Sequence, residues 1–312
     1  MELVSVLISM YRPDPVFLEK QLRSLEEQDY PEIEVIIRDD DPATEFQTKV
    51  LEEIFRTKKY RYLAGEENLG YARSFERLTE MAQGTYLAYC DQDDIWRKDK
   101  ISKCVRALEE EGAVLASSDR AIIDGTDAVV NPSYRANHQD VCDQWRTGDA
   151  ITSRAVFTTY AIGMSIVVRS DVAKRLLPFP EDTAHDKWVT AGASVFGKVV
   201  FLEEPLVLYR RHGANVSGIF KSIASKEEYY KKRVDYSYRL AMEFIKRFPE
   251  LPEKERREIQ DFARARKTRD IRKMYAMRDM APVIIKFEIV LKLVPGWMFG
   301  LGLSLLRKRA KK

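Results

Sequence analysis

Over the first 120 residues, short apolar runs alternate with amphipathic stretches, and this alternation narrows the fold more than any other feature of the chain. Residues 3–9 form an apolar run of strand length, and residues 33–37, 60–63, 85–90 and 113–117 repeat the pattern. Helical spacing fills the gaps. Asp14 can cap a helix with Pro15 in its first position, and Leu18, Leu22 and Leu25 supply its apolar face. Thr44 and Gln47 make a capping box for a second helix, residues 71–81 read as a third stopped by Gly84, and residues 99–110 as a fourth. Strands and helices alternating through short connections predict an α/β fold, a mostly parallel sheet flanked by helices. In such sheets ligands bind beyond the carboxyl ends of the strands.

The rest of the chain is patterned differently. Periodicity fades over residues 123–149, which read as a surface excursion, and strand character returns at 161–168 and 199–201. Beyond Ser225 the pattern is helical and highly charged, with Pro249 and Pro252 marking a turn between helices. The net charge of +3 is too small to argue for nucleic acid, but cations gather at the end as Arg307-Lys308-Arg309-Ala310-Lys311-Lys312. Cys90, Cys104 and Cys142 have neither metal-ligand spacing nor an even-numbered disulfide framework, so a reduced, cytosolic chain is expected. The apolar start has no basic prelude and no small-residue cleavage site, so it does not read as a signal peptide.

Four constellations carry chemistry. Arg38-Asp39-Asp40-Asp41 follows an apolar strand, where a carboxylate can accept the N3 proton of uracil or thymine or simply cap the next helix. Asp91-Gln92-Asp93-Asp94-Ile95-Trp96 follows another. Acids spaced i, i+2 in an extended turn point to one side and can hold a divalent cation on a diphosphate, although acids also favour helix N-termini. In Pro180-Glu181-Asp182-Thr183-Ala184-His185-Asp186-Lys187-Trp188, a carboxylate at a helix start stands near an aromatic ring that offers a sugar a stacking face. In Tyr209-Arg210-Arg211-His212-Gly213-Ala214-Asn215-Val216-Ser217-Gly218, arginine forks suit phosphates and His212 can complete a metal shell; a polar linking loop is the plain alternative.

The order Val4-Ser5-Val6-Leu7-Ile8-Ser9-Met10-Tyr11, Asp39-Asp40, Asn68-Leu69-Gly70-Tyr71-Ala72-Arg73 and Asp91-Gln92-Asp93-Asp94-Ile95-Trp96 resembles the family-2 inverting glycosyltransferases, and within them the rhamnosyltransferase-like branch. The resemblance covers roughly residues 1–218 and implies a GT-A catalytic domain, with a nucleotide-binding half (1–120) and an acceptor-binding half (121–218). It implies that Ser9, Tyr11 and Asp39 hold the nucleoside with Arg73 nearby, and that Asp91 faces the donor ribose or sugar. Asp93 would be the principal ligand of Mn2+ or Mg2+, with His212 beside it, and Arg210 and Arg211 would lie over the diphosphate. Asp186 would be the general base, with Glu181 and Asp182 as alternatives, and Trp188 would face the acceptor. Members usually continue the first acidic pair with Gly-Ser-Thr, whereas this chain has Asp41-Pro42-Ala43, which puts the local loop geometry in question.

Beyond this domain the sequence predicts a charged helical extension (219–281) and an amphipathic segment with a basic tail (282–312). The uncharged run 293–306 is too short for the roughly 20 residues of a membrane span, so it reads as interfacial, drawn to anionic lipid by its cations. Trp297 and Phe299 suit such a belt, and burial against the core or in a homo-oligomer is the alternative. The expected partners are a nucleotide-diphosphate sugar, dTDP-rhamnose among them, and a glycan or polyprenyl-linked acceptor at the inner face of the plasma membrane. A hexosyltransferase using a UDP-sugar, a sugar nucleotidyltransferase and a non-catalytic nucleotide-sugar-binding subunit stand as alternatives. The nucleotidyltransferase would want a Gly-rich loop where Met10-Tyr11-Arg12-Pro13 stands.

Overall fold

The computed structural model describes residues 1–43, 46, 48–138, 145–181, 183–212 and 223–300. The expected capping box of Thr44 and Gln47, Cys142, Asp182, the stretch 213–218 and the basic tail lie outside the described residues. The chain forms two compact units, one from residues 1–151 and 159–213, the other from 152–158 and 214–312.

In chain order the elements up to residue 210 are β1 (Val4–Met10), α1 (Pro15–Glu26), β2 (Ile33–Asp39), α2 (Lys49–Ile54), β3 (Lys59–Ala64), α3 (Tyr71–Met81), β4 (Tyr86–Cys90), β5 (Ile95–Trp96), α4 (Lys100–Glu110), β6 (Leu115–Ile123), β7 (Val129–Asn131), α5 (Tyr134–Asn137), α6 (Thr152–Ala155), β8 (Ile166–Arg169), α7 (Ser170–Arg175), α8 (His185–Phe196) and β9 (Val199–Arg210). All but α6 belong to the first unit. Asp14 caps α1 as its sequence predicts, its carboxylate accepting from the backbone N–H of Val16 and Phe17. Leu18, Leu22 and Leu25 are buried beneath it.

One sheet runs β3-β2-β1-β4-β8-β6-β9-β5, with β7 added on β6. β3, β2, β1 and β4 are mutually parallel, as is β6 beside β9. β8 runs antiparallel between β4 and β6, and β5 and β7 also pair antiparallel. The sheet is therefore parallel in its first half and mixed in its second. Local periodicity reports which residues are buried, whereas strand direction depends on the path of the connections, which no local pattern records.

Strand register sets up the site. Met10 pairs with Asp39 and Ile8 with Cys90, so the segments after β1, β2 and β4 leave the same edge of the sheet side by side. β9 is longer than the run 199–201 predicts, and its far end pairs with β5 (Ile95 opposite Leu208), which brings Arg210 and His212 alongside residues 91–94. Residues 123–149 are more than a surface excursion. Asp119, buried on β6, accepts from Ser133 Oγ (2.6 Å) and from the Arg135 N–H (3.1 Å), and Trp145 is buried with its indole N–H on the Tyr160 carbonyl (3.0 Å). These anchors are long-range, so a sequence window cannot see them.

The second unit is helical: α6, then α9 (Lys226–Tyr229), a π-helical turn Tyr230–Asp235, α10 (Tyr236–Arg247), α11 (Glu253–Thr268), α12 (Ile271–Ala276) and α13 (Pro282–Leu293). The Pro249 and Pro252 turn separates α10 from α11 as expected. Phe157 meets Phe262 edge-on at 4.6 Å, and Tyr229, Tyr230, Val234, Leu291 and Phe299 close a smaller apolar cluster. Phe299 is thus a core residue and not part of an interfacial belt. Among the described residues no helix is long and apolar enough to cross a membrane.

Candidate active site

Of the acids at the end of β2, Asp40 and Asp41 build the loop, while Asp39 meets the hydroxyl of Tyr62. Asp40 accepts from the backbone N–H of Leu69 (3.0 Å) and Gly70 (2.7 Å) and pairs with the buried Arg38 guanidinium, which also donates to Ser74 Oγ (2.7 Å). This ties the acidic turn to the Asn68–Tyr71 stretch, where Gly70 has φ of +76°, a conformation that costs glycine nothing. Asp41 pairs with Arg12 (2.9 Å) and accepts from the Ala43 N–H (3.1 Å), so a side-chain turn stands where the family pattern has Gly-Ser-Thr. Asp39 accepts from the Tyr62 hydroxyl (3.0 Å) and from the Asp41 N–H (3.0 Å). Phe46 stacks on Tyr62 with ring centroids 5.5 Å apart. Tyr62 and Phe46 are the aromatic neighbours that a base beside Asp39 would meet. Sequence reasoning missed them because one ends in a neighbouring strand and the other in the loop that follows β2.

Ser9 is half-buried near the end of β1 and Tyr11 is exposed beyond it. Gln92 holds that segment: its Oε1 accepts from the Tyr11 N–H (2.8 Å) and its Nε2 donates to the Tyr11 carbonyl (3.2 Å). This two-point clamp joins the expected nucleoside segment to the expected metal turn. Nothing in the sequence singled out Gln92 from the acids around it.

In the acidic turn itself, Asp93 Oδ2 lies 2.7 Å from His212 Nε2, both side chains partly exposed. The structure therefore brings together the two residues expected at the metal. Asp94 is buried and accepts from the Arg210 N–H (2.9 Å), and burial among neighbouring acids holds its pKa well above the usual carboxylate range. Asp91 is pushed up to about 7, first by burial and then by the charges of Asp93 and Asp186. Among the described residues no cluster of three or more His, Cys, Asp or Glu is arranged around a cation. Two convergent N/O donors still fit an ion that takes its remaining ligands from diphosphate oxygens and water, as Mg2+ and Mn2+ do.

Arg210 does not reach over a diphosphate as expected. Its side chain is fully buried, its Nε donates to the Asp93 carbonyl (2.8 Å), its Nη1 to the Asp124 carbonyl (3.1 Å), and it pairs with Asp127 while packing on the Phe17 ring. A guanidinium held by two backbone carbonyls and the Asp127 carboxylate positions the acidic turn from below. Arg211 is exposed, with its N–H on the Ile123 carbonyl (2.9 Å). Arg73 donates to both oxygens of Glu76 (2.8 and 2.9 Å) and faces Glu181 at 4.0 Å, toward the segment that leads into α8.

Asp186 is the second residue of α8, partly buried, with Oδ1 accepting from the Lys187 N–H (2.6 Å); burial raises its pKa to about 6. His185 beside it packs against Tyr89 of β4 with ring centroids 5.0 Å apart, which brings the start of α8 next to the turn that follows β4. His185 is no surface residue: its ring lies 4.0 Å from that of Phe75, neither nitrogen has a partner among the described residues, and burial pulls its pKa down to about 3. A Cβ on Gly163 would meet His185 Nε2 at 2.6 Å, so the glycine makes room for the ring. Trp188 is also in the core, 1% exposed, its indole N–H on the Leu176 carbonyl (2.9 Å). The expected sugar-stacking face of Trp188 is consumed by packing, because position four of α8 points inward while position two points to the site.

The model of the family described as "Glycosyl transferase family 2" matches residues 5–165, more than half of the chain. A putative teichuronic acid biosynthesis glycosyltransferase of Bacillus subtilis, TuaG, is 31% identical over 127 residues, 40% of this chain and 50% of its own length, so the chain spans about half of that relative. Residues 1–349 of Staphylococcus aureus TarS, solved with UDP-GlcNAc, superpose with a TM-score of 0.64 at 17% identity, over 91% of this chain and 82% of that one. The mannosyltransferase PcManGT of Pyrobaculum calidifontis, solved with GDP-Man and Mn2+, gives 0.54 at 18% identity, over 90% and 73%. At such identities the structural likeness establishes the fold: a GT-A-type mixed α/β domain with a helical carboxyl-terminal region.

Proposed function

The chain belongs to glycosyl transferase family 2, and from that premise we propose that it is a metal-assisted, inverting sugar transferase that builds a cell-surface glycan. The observation that carries this reading is the opposition of two acidic groups. Asp93 with His212 stands on one side, and on the other is Asp186 at the start of α8, where His185 packs 5.0 Å from the Tyr89 ring at the end of β4. Asp39 accepts the N3–H of a uracil or thymine ring, with Tyr62 and Phe46 beside it, so the donor is a UDP- or dTDP-sugar, dTDP-rhamnose included. Asp93 and His212 would hold Mn2+ or Mg2+, a reading that the Mn2+ in the PcManGT structure supports. That cation, when bound, neutralises the charge on the departing diphosphate.

The chain's own residues do the rest. Gln92 fixes the Tyr11 backbone against the acidic turn, and Arg210 fixes the turn from beneath. Asp186 takes the proton of the acceptor hydroxyl as that oxygen attacks the anomeric carbon, and the nucleoside diphosphate leaves from the opposite face with inversion. The acceptor is a lipid-linked glycan at the inner face of the membrane, a reading supported by the teichuronic acid relative and the basic end of the chain. Between the donors, UDP-GlcNAc in the TarS structure favours a UDP-hexose as the second reading.

The test is a donor screen that follows nucleoside diphosphate release with dTDP-, UDP- and GDP-sugars, with NMR of the product. Turnover of a pyrimidine donor with inverted configuration is expected. Preference for GDP-sugars removes the role of Asp39, and a retained configuration removes the single displacement.

A further inference from the structure

The helix α13 buries an acid beside its inward apolar residues and leaves other apolar residues outside. Its one acid, Glu288, is 2% exposed and held on both oxygens by Arg266 (Nη2–Oε1 2.7 Å, Nε–Oε2 3.0 Å), with the Tyr229 hydroxyl donating to Oε1 (3.1 Å) and Arg266 Nη1 donating to Ser237 Oγ (2.8 Å). Val283, Val290 and Leu293 of the same helix face outward at 55, 58 and 72% exposure, and Trp297 and Met298 follow at 69 and 46%. Val283, Lys286, Val290 and Leu293 recur at helical spacing, so they form one stripe with Lys286 exposed within it, and the exposed Trp297 follows beyond the break at Val294 and Pro295. Apolar residues stand on both sides of this helix, Ile285 and Leu291 buried and Val283, Val290 and Leu293 exposed. The buried ion pair helps fix the rotation that leaves this second apolar stripe outside.

We propose that this stripe is a docking surface for an anionic lipid bilayer, on which α13 lies parallel to the membrane plane. Twelve residues of helix extend about 18 Å, short of the roughly 30 Å of a hydrocarbon core, so the helix lies on the bilayer and does not cross it. Lys286 and Lys292 are placed to snorkel toward headgroups beside the apolar side chains. The charge of the following sequence chooses the occupant. Residues 307–312 hold five cations among six residues, each of which strengthens binding to an anionic surface by about fivefold. A second copy of the chain would instead bring two such tails together, like charge against like.

The surface stands apart from the transferase reading, because docking requires neither Asp93 nor Asp186. It also has a built-in probe. Trp96, Trp145 and Trp188 are buried at 3, 4 and 1% exposure, so Trp297 is the one tryptophan whose emission reports the outside of the protein. The full chain should co-float with phosphatidylcholine vesicles containing phosphatidylglycerol, with a blue shift in emission that Trp297→Phe abolishes. It should float at least about tenfold less with phosphatidylcholine alone. Leu293→Glu with Val290→Glu, both at exposed positions, should cut flotation at least about tenfold while leaving the melting temperature and nucleotide binding unchanged. Equal flotation of wild type and this double variant overturns the proposal, as does flotation without any Trp297 shift. Absence of flotation together with a concentration-dependent dimer that the double variant dissolves assigns the stripe to a second copy and also overturns it.

Discussion

Replacing Asp186 with asparagine exchanges one oxygen for an amide nitrogen, and the structure says what that exchange leaves and removes. The Lys187 N–H bond to Oδ1 at 2.6 Å can persist, because an amide oxygen accepts it. Proton acceptance cannot persist, and loss of a general base typically lowers the rate by about 10²–10⁴-fold. With a pKa of about 6, wild-type Asp186 is roughly nine-tenths ionised at pH 7 and one-tenth at pH 5, so turnover should fall about tenfold over the acid limb. Stability should move in the opposite direction. Burial raises the folded pKa above the unfolded value near 4, so the folded state binds the proton more tightly, and the stability conferred by protonation is lost as pH rises through about 6. The asparagine variant escapes that cost and should be more stable than wild type at pH 8, by about 3 kcal/mol, with the two nearly equal at pH 4. Single-turnover transfer from pH 5 to 8, beside urea melts at pH 4 and pH 8, reads both effects. Near-normal transfer by Asp186→Asn, or a wild-type rate flat across that range, refutes the assignment and moves the base to the exposed Glu181 or to Asp182.

The other expectations are shorter. Asp93→Ala and chelation should each abolish most turnover, and His212→Ala should raise the metal concentration needed for half-maximal rate; full activity after exhaustive chelation would exclude the metal. Gln92→Leu deletes both bonds to the Tyr11 backbone and should raise the donor KM several-fold with a smaller change in kcat, since a clamp on the binding segment acts before the chemistry; an effect on kcat alone would contradict this. Arg266→Leu should destabilise the helical unit by about 3–5 kcal/mol by stranding Glu288, whereas Arg266→Leu with Glu288→Leu should recover most of it. A double variant no more stable than the single one would show that the pair does not set the packing of α13.

The start of α1, the bounds of α3 and the strands β1 to β4 were legible in the sequence. Each follows from a local regularity: a cap, an apolar period, or a carboxylate at a strand end. The motif order was legible too, because Asp39, Asp93 and Asp186 each follow an identifiable element boundary. Tertiary structure decided how the polar groups are spent. Arg210 and Arg211 are adjacent and identical in type, yet one is sealed beneath the acidic turn and the other is exposed, because alternate residues at the end of a strand point to opposite sides. Asp39, Asp40 and Asp41 are equally acidic in sequence, but Arg38 and Arg12 neutralise two of them from positions set by strand pairing. Trp188 lost its sugar-facing role to a carbonyl twelve residues earlier, and Gln92 gained a role from a backbone eighty-one residues away. The rotation of α13 makes the point most plainly. Apolar residues lie all round it, and the partner on α11, Arg266, together with the burial of Ile285 and Leu291, turns Glu288 inward and leaves Val283, Val290 and Leu293 outside.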